Sequence, residues 1–284
     1  MKTVLAQIVP ALGDLRRNLE CHLDECRRAG KAGADLIVFP ELSLTGYSLR
    51  DLVADCAVDA ERAPEMRRLR DASRRIGIVA GFVEKGPGHL FYNAAACWIA
   101  GRLRHVHRKV YLPTYGMFEE GRDFAAGEVF RSFDAPWGRT GLLICEDFWH
   151  LSSSWLLAQE GMEVLIVVSN SPAREVDGPD ATSGMGSWLR LGQVIAQFLG
   201  CSVIYVNRAG HEEGWSFGGA SCAVDPMGRI IGQAKPLAAD RRTVTISPAR
   251  LRRARIASPL MRDEKVDLVR RELDRILAAR YRQG

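Results

Sequence analysis

Short apolar runs alternate with helical patterns along this chain, and the alternation occurs twice. In the first half, strand-like runs at residues 4–8, 36–39 and 76–83 are separated by helical patterns, the first of which covers 14–29. In the second half, strand patterns at 140–145, 164–169 and 202–207 are separated by helical patterns at 150–160 and 187–199. Such βαβ units form sheets that helices cover on one face. Two halves packed sheet against sheet predict an α/β fold, a single-domain four-layer α-β-β-α sandwich.

The segments between these units have a different pattern. Two longer apolar runs flank Gly101-Arg102 within residues 90–108 and predict an antiparallel hairpin, and a second hairpin is predicted at 216–231. Residues 111–138 are rich in Gly and Pro and predict a long loop region with one short strand. Because long loops often carry function, we expect this region to contribute to a site.

The composition limits the class of protein. The 284 residues are 47% hydrophobic and 26% charged, which are globular values, and no apolar stretch approaches the roughly 20 residues that a membrane helix needs. The N-terminus turns polar too early for a signal peptide, so we expect a cytoplasmic protein with no membrane partner. The net charge of +5 comes largely from arginines after residue 249. This excess is typical of a solvated tail, so we expect no nucleic-acid partner.

The cysteines and histidines indicate neither a disulfide framework nor a metal site. The seven cysteines are an odd number and form no C-x-x-C pair, which indicates reduced thiols. The six histidines are scattered, whereas a zinc site needs Cys and His at paired spacing. We therefore predict no metal and no other cofactor.

Three polar side chains stand at the ends of predicted strands. Cys145 closes the apolar run 141–144, Glu41 follows the run 36–40, and Lys109 begins an apolar segment. Each residue taken alone has an ordinary explanation: cysteine is often a packed core thiol, and glutamate or lysine is usually on the surface. Their common position at strand ends favours a functional site over three unrelated residues.

A thiol, a carboxylate and an ammonium are the groups that covalent amide hydrolysis requires. The Cys145 thiol can attack the carbonyl carbon, Glu41 can act as base and then as acid, and Lys109 can hold the oxyanion. A helix beginning at Cys145 and the charge of Lys109 would both lower the pKa of the thiol. The pattern therefore predicts a covalent cysteine hydrolase.

Three segments around these residues resemble the signature segments of the nitrilase (carbon-nitrogen hydrolase) superfamily. Within that superfamily the chain looks most like the glutaminase domain of glutamine-dependent NAD synthetase, through residues 43–47, 115–122 and 145–149. The resemblance predicts a carbon-nitrogen hydrolase domain over 1–247, followed by a basic extension with an amphipathic helix over 248–284. The three signature segments are Phe39-Pro40-Glu41-Leu42, Arg108-Lys109-Val110-Tyr111-Leu112-Pro113 and Leu143-Ile144-Cys145-Glu146-Asp147.

The resemblance implies a catalytic triad of Glu41, Lys109 and Cys145. It also implies that Glu120 is a second, supporting glutamate that holds Lys109 or steers the substrate nitrogen; a solvated loop carboxylate is the alternative. In the implied mechanism, Lys109 and the backbone N–H of Glu146 stabilise the oxyanion, ammonia or an amine leaves, and water hydrolyses the thioester.

The same resemblance points to five residues for substrate contacts, although the aromatic ones can equally be core or lid packing. The chain departs from the glutaminase pattern after Ser171-Pro172, where the usual Gly-Lys and basic residue are absent. Arg174 can replace them as a carboxylate clamp or be a solvated loop arginine. The sequence does not distinguish a lid from an ordinary loop at 173–186. The five residues are Tyr47, Tyr115, Glu146, Trp149 and Ser171.

These observations lead to one principal functional prediction with alternatives. The first is an amidase for a small linear amide or carbamoyl compound. The second is a glutaminase subunit that supplies ammonia to a separate NAD synthetase or other ligase, because the chain has no Ser-Gly-Gly-x-Asp-Ser adenylating loop. A non-catalytic scaffold is a third, and nitrile hydrolysis is less expected than amide hydrolysis.

The C-terminal segment predicts self-association. After Pro259, apolar residues recur at helical spacing, which is typical of an amphipathic helix whose stripe needs a partner. Together with the superfamily resemblance, this stripe predicts a homodimer or a larger homo-oligomer. The stripe consists of Val266, Val269, Leu273, Ile276 and Leu277.

Overall fold

The first half of the chain forms one sheet with helices on its outer face. The structure is a computed structural model and describes residues 1–173 and 183–281. Helix α1 begins close to its predicted start because the Asp14 side chain accepts a hydrogen bond from the Arg17 N–H. The predicted hairpin over 90–108 is present as β4 and β5. The elements are β1 (Lys2–Gln7), α1 (Leu15–Lys31), β2 (Leu36–Val38), α2 (Val53–Cys56), α3 (Pro64–Ala72), β3 (Gly77–Lys85), β4 (Phe91–Ile99) and β5 (Arg102–Arg108).

The second half builds a second sheet and the C-terminal helices. Strands β8 and β9 have their predicted bounds, but the residues predicted as one hairpin, 216–231, belong to two: β11 pairs with the preceding β10, and β12 pairs with β13. Ala220 adopts φ +55° between them, which ends β11. The elements are α4 (Glu120–Asp123), β6 (Phe133–Ala135), β7 (Gly138–Ile144), α5 (Leu151–Gln159), β8 (Val164–Ser169), α6 (Ser183–Leu199), β9 (Ser202–Asn207), β10 (Ala209–Glu212), β11 (Trp215–Gly218), β12 (Cys222–Val224), β13 (Ile230–Gln233), β14 (Asp240–Thr245), α7 (Pro248–Ala257), α8 (Leu260–Asp263) and α9 (Val266–Tyr281).

Two six-stranded sheets form the centre of the molecule. The first has the order β14-β1-β2-β3-β4-β5 and the second has the order β13-β12-β9-β8-β7-β6. Strands β1 to β3 are parallel, as are β7 to β9. Strand β14 was not predicted; it returns the chain to the first sheet and pairs antiparallel with β1. Its only buried residue is Val244, so its sequence lacks the alternating apolar pattern of a strand.

The first sheet separates two clusters of buried hydrophobic side chains, one on each of its faces. On β1, Leu5 joins the cluster between the sheets, whereas Val4 and Ala6 join the cluster beneath α1 and α3. The inter-sheet cluster includes Val79 of β3 and Leu143 of β7, and it continues to helices α5 and α6 on the far side of the second sheet. Each such buried aliphatic side chain stabilises the fold by about 1.5–3 kcal/mol. The predicted four-layer α-β-β-α sandwich is confirmed.

The C-terminal helices differ in how they contact this sandwich. Helix α7 is anchored by Arg255, whose guanidinium donates to the carbonyl oxygens of Gly200 and Met162 at 2.9 and 2.6 Å. Helix α9 occupies the predicted amphipathic segment, but its apolar stripe is not covered: Leu273 is 54% and Leu277 is 47% exposed. Within residues 1–173 and 183–281, no helix is long and apolar enough to cross a membrane. All seven cysteines are free.

Candidate active site

Three strand ends and the first residue of α4, Glu120, bring four of the predicted site residues into one buried cluster. Lys109 directly follows β5, and its Nζ lies 2.8 Å from Glu41 Oε1 and 2.7 Å from Glu120 Oε1. Cys145 directly follows β7 in the opposite sheet. All four side chains are buried: Lys109 is 0%, Glu41 1%, Glu120 5% and Cys145 8% exposed. The cluster therefore lies where the ends of the two sheets face each other.

Glu41 is fixed by both of its carboxylate oxygens. Oε1 accepts from Lys109 Nζ and from Asn93 Nδ2, the latter at 2.7 Å. Oε2 accepts from the backbone N–H of Asn170 at 2.7 Å, and Asn170 directly follows β8 of the second sheet. Glu41 is thus held by contacts from both sheets.

Lys109 and Glu120 form a charge pair whose ionisation is altered by burial. Burial lowers the pKa of Lys109, but the charges of Glu120 and Glu41 outweigh it, and the pKa stays well above its usual value. Burial raises the pKa of Glu120 to about 7, although Lys109 favours its charged form. Glu120 Oε1 also accepts a hydrogen bond from the Tyr47 hydroxyl at 2.8 Å. Near neutral pH, Lys109 is therefore an ammonium ion and Glu120 is close to its titration midpoint.

Cys145 directly follows β7 and is the first residue of a short 3₁₀ turn. Its φ is +44°, a left-handed conformation that is strained for a residue with a side chain. Ser169 Oγ donates to its Sγ at 3.3 Å. Strain at such a position is a feature of functional sites, where the surrounding structure holds a residue in place.

The expectation of a lowered thiol pKa is wrong. Burial, followed by the negative charge of Glu41, raises the pKa of Cys145 well above its usual value, although Lys109 acts in the opposite direction. The predicted helix at this position is only the five-residue turn Cys145–Trp149. The dipole of such a short turn is small, so it stabilises the thiolate of Cys145 only weakly. Cys145 is therefore a neutral thiol at rest, and a nearby base is needed to ionise it.

Asp147 is a positioning residue that the sequence analysis missed. It is 0% exposed, and its Oδ1 accepts from the backbone N–H groups of Val110 and Tyr111 at 3.0 Å each. Its Oδ2 lies 2.8 Å from His107 Nε2 and accepts from the Ile144 N–H at 3.1 Å. One carboxylate therefore ties the chain beside Lys109 to the chain beside Cys145.

The structure places the five predicted substrate-contact residues in three groups. Tyr47 belongs to the cluster through Glu120, whereas the Tyr115 hydroxyl donates to the Glu146 carboxylate at 2.9 and 3.0 Å. Trp149 is 44% exposed and packs edge-on against Trp188, with ring centroids 5.1 Å apart.

Ser171 is the remaining predicted contact residue. Its Oγ accepts from Trp188 Nε1 at 2.7 Å, so Trp188, which was not predicted, joins Ser171 to Trp149. Arg174 and most of the segment 173–186 lie outside the described residues. No group of three His, Cys, Asp or Glu side chains suited to a metal ion is found in the part of the chain that the structure describes.

Comparison with known proteins identifies the family of this chain. The carbon-nitrogen hydrolase family matches residues 3–256. The chain is 32% identical to the glutamine-dependent NAD(+) synthetase of Thermotoga maritima over 239 residues, 83% of this chain and 40% of that protein. It is 30% identical to the Acinetobacter baylyi protein of the same name over 233 residues, 82% of this chain and 42% of that protein. The chain thus spans about two fifths of the length of these relatives.

Solved structures of an amidase and of an NAD+ synthetase are also similar to this chain. An amidase of the nitrilase superfamily from Nesterenkonia AN1 is 26% identical with a TM-score of 0.78, covering 95% of this chain and 96% of that one. In another structure of this amidase, acrylamide has undergone Michael addition at the active site cysteine. The glutamine-dependent NAD+ synthetase of Acinetobacter baumannii is 29% identical with a TM-score of 0.74, covering 85% of this chain and 44% of that one. The predicted resemblance is confirmed, and the chain belongs to the carbon-nitrogen hydrolase family of the nitrilase superfamily.

Proposed function

We propose that this protein is an amidase that hydrolyses a small linear amide through a thioester on Cys145. The observation that carries the proposal is the buried Lys109 ammonium, which lies between the carboxylates of Glu41 and Glu120 beside a buried thiol. Buried charges are costly to desolvate and contribute little to stability. Titratable groups whose pKa values are shifted by burial and by one another are typical of catalytic sites.

The first half of the reaction forms the thioester. Glu41 takes the proton of the Cys145 thiol, and the sulfur attacks the amide carbon, so that the carbon–oxygen π electrons move onto oxygen. Lys109 and the backbone N–H of Glu146 stabilise this oxyanion. The oxyanion then collapses, the carbon–nitrogen bond breaks, and the nitrogen leaves as ammonia or an amine with the proton from Glu41.

The second half regenerates the enzyme. Glu41 takes a proton from a water molecule, whose oxygen attacks the thioester carbon. Collapse of this second oxyanion breaks the carbon–sulfur bond, releases the carboxylic acid and returns a proton to Cys145. Because the resting thiol is neutral, Glu41 must act as a base in both halves, which agrees with its fixed hydrogen bonds to Asn93 and Asn170.

A glutaminase subunit is the second candidate. It is supported by the identity of 30–32% to glutamine-dependent NAD(+) synthetases. In this case the acid product is glutamate, and ammonia passes to a separate ammonia-using ligase. Tyr115, Glu146, Trp149 and Ser171 are proposed to contact the substrate in either case.

Ammonia release from purified protein tests the proposal. The panel contains glutamine, asparagine, ω-amides, N-carbamoyl amines and aliphatic amides, with Cys145→Ala as the inactive variant. Cys26→Ala is the matched control, because Cys26 is also a buried cysteine but lies on the inner face of α1. Turnover that Cys145→Ala abolishes and Cys26→Ala retains supports the mechanism. Turnover by Cys145→Ala at the wild-type rate would contradict the thioester mechanism.

The same panel separates the two candidates. Turnover of another amide with glutamine inert favours a free-standing amidase. Glutamine turnover that rises when an NAD synthetase is added favours the glutaminase subunit. If no compound of the panel releases ammonia and mass spectrometry finds no acrylamide adduct on Cys145, the non-catalytic scaffold is favoured.

We also propose that the protein forms a homodimer or larger assembly in the cytoplasm. The exposed apolar stripe of α9 supports self-association, with Leu273 54% exposed. Sedimentation of the wild type and of Leu273→Glu tests this. A wild type that sediments as a monomer at micromolar concentration contradicts the proposal.

A further inference from the structure

A second buried ion pair lies close to the proposed catalytic cluster. Arg208 directly follows β9 and is 0% exposed, and its Nη1 donates to Glu212 Oε2 at 2.7 Å. Its guanidinium carbon lies 4.2 Å from the ring centroid of Phe217. An ion pair buried this deeply is often no more stabilising than apolar side chains of the same volume. Its presence therefore points to a role other than stability.

Glu212 connects this pair to the segment that carries Tyr47. Its Oε1 accepts from the backbone N–H groups of Tyr47 and Ser48 at 2.9 and 2.8 Å. Gly46 has φ +82°, and a Cβ there would stand 2.9 Å from Glu212 Oε2. The carboxylate thus packs directly against the turn and fixes the position of its backbone.

The connection continues to the Lys109 ammonium. The Tyr47 hydroxyl donates to Glu120 Oε1 at 2.8 Å, and Lys109 Nζ donates to the same oxygen at 2.7 Å. A continuous set of contacts therefore runs from Arg208 through Glu212, the Tyr47 segment and Glu120 to Lys109.

We propose that Arg208 and Glu212 are positioning residues for the reaction, which hold the Tyr47 segment so that its hydroxyl and Lys109 share one oxygen of Glu120. The proposal deepens the function proposed above and rests on it for any effect on turnover. Neither residue is required to touch the substrate. Their effect is exerted on the ionisation and position of Glu120.

The groups that face Glu120 determine what loss of this support would do. They are Lys109, Glu41, Tyr47 and Cys145. Burial raises the pKa of Glu120, whereas the charge of Lys109 and the Tyr47 hydrogen bond lower it. If the Tyr47 segment moves away, the charged form of Glu120 loses one donor. Its pKa then rises further, and at neutral pH Lys109 keeps only Glu41 as an ionised partner.

Glu212→Gln is the decisive variant, and the chain offers a matched control in Asp225. Gln keeps an oxygen for the two backbone N–H groups but removes the charge that pairs with Arg208. Asp225 is 3% exposed; its Oδ1 accepts from the backbone N–H groups of Met227 and Arg229 at 3.0 and 3.1 Å, and its Oδ2 accepts from Arg250 at 2.9 Å. Asp225→Asn therefore removes the same kind of contact at a turn between β12 and β13.

The primary measurement is the titration of the Glu120 carboxyl carbon by ¹³C NMR in the full chain, with the signal assigned by its loss in Glu120→Gln. We expect Glu212→Gln and Tyr47→Phe each to raise the Glu120 midpoint by about one pH unit. The double variant should show no further rise, because both act through one hydrogen bond. Asp225→Asn should leave the midpoint unchanged at a comparable loss of thermal stability.

The outcomes are distinct. An unchanged midpoint in Glu212→Gln, an equal rise in Asp225→Asn, or fully additive shifts in the double variant would each overturn the proposal. Because the titration needs no turnover, it is independent of the amidase assay, which tests the proposed function. With the amide that the wild type hydrolyses fastest, the acidic limb of kcat should move with the NMR midpoint in the same variants.

Discussion

The backbone of Glu41 lies directly against the α-carbon of Gly81. A Cβ atom on Gly81 would stand 2.7 Å from the Glu41 carbonyl carbon and 2.3 Å from the Leu42 nitrogen. Gly81 also donates its N–H to the Pro40 carbonyl at 3.2 Å and accepts from the Leu44 N–H at 3.0 Å. Because Gly81 has no side chain, the backbone at Glu41 can pack directly on β3, and this contact determines the position of Glu41.

Gly81→Ala should therefore displace Glu41 with little change elsewhere. Contacts below 3 Å force the Glu41 segment to shift, and a misplacement of about 1 Å can reduce catalysis by about 100-fold. Overpacking also costs about 1–3 kcal/mol of stability. Amide turnover and urea unfolding of the same preparation measure the two effects.

Gly30→Ala is the control for that substitution. Gly30 lies in α1, and a Cβ there meets no atom within 4 Å. Alanine is the better helix former, so this variant should be at least as stable as the wild type and fully active. Full activity of Gly81→Ala would show that Glu41 does not depend on the close approach.

Asp147→Asn should loosen the tie between the chain beside Lys109 and the chain beside Cys145. An amide keeps one acceptor oxygen but turns an NH₂ group toward N–H donors that it cannot satisfy. A buried donor left without a partner costs about 1–3 kcal/mol. Thermal unfolding measures the loss. Asp134→Asn is the control, because the Asp134 side chain is 88% exposed, and an equal loss in both variants would contradict the role given to Asp147.

The sequence allowed the architecture and the central cluster to be predicted for one physical reason. Fully buried strands are continuous apolar runs, as in 164–169, and a polar residue directly after such a run marks a strand end. Glu41 and Cys145 carry that signal, whereas Lys109 follows the mostly polar strand β5 and was marked only by the apolar residues after it. Strand β14 carries no such signal because most of its side chains are exposed, and its pairing partner is far away in the sequence.

The supporting contacts could not be predicted in the same way. Asp147 ends the third signature segment, but nothing in its spacing shows that four N–H donors converge on its carboxylate. Glu212 and Tyr47 are 165 positions apart, so only the fold brings them together. The thiol pKa was predicted with the wrong sign because a sequence does not show how deeply Cys145 is buried or how close Glu41 lies.

The rate of amide hydrolysis should fall as the pH drops through about 7. Burial raises the pKa of Glu120 to about 7, and only the ionised form pairs with the Lys109 ammonium. Protonation at lower pH removes that pair, so kcat should show an acidic limb with a midpoint near 7. Ammonia release measured from pH 5.5 to 9 gives the profile. Glu120→Gln should be slower and lack this limb, and an identical limb in that variant would assign it to another group.

Acidic pH should also destabilise the fold through His22. The ring is 0% exposed; its Nδ1 donates to the Asn18 carbonyl at 2.7 Å, and its centroid lies 4.0 Å from that of Phe39. Burial lowers the pKa of His22 to about 4, and that of the half-buried His105 likewise to about 4.

The sign of this effect follows from proton binding. Between pH 6.5 and about 4 the unfolded chain binds more protons than the folded one, so the free energy of unfolding falls as the pH drops. Each histidine contributes up to about 1.4 kcal/mol per pH unit in that window. Urea unfolding at pH 7 and at pH 5.5 should show a smaller difference for His22→Gln than for the wild type. His89→Gln changes an exposed histidine and serves as the control; a wild-type difference retained in His22→Gln would remove His22 as the source.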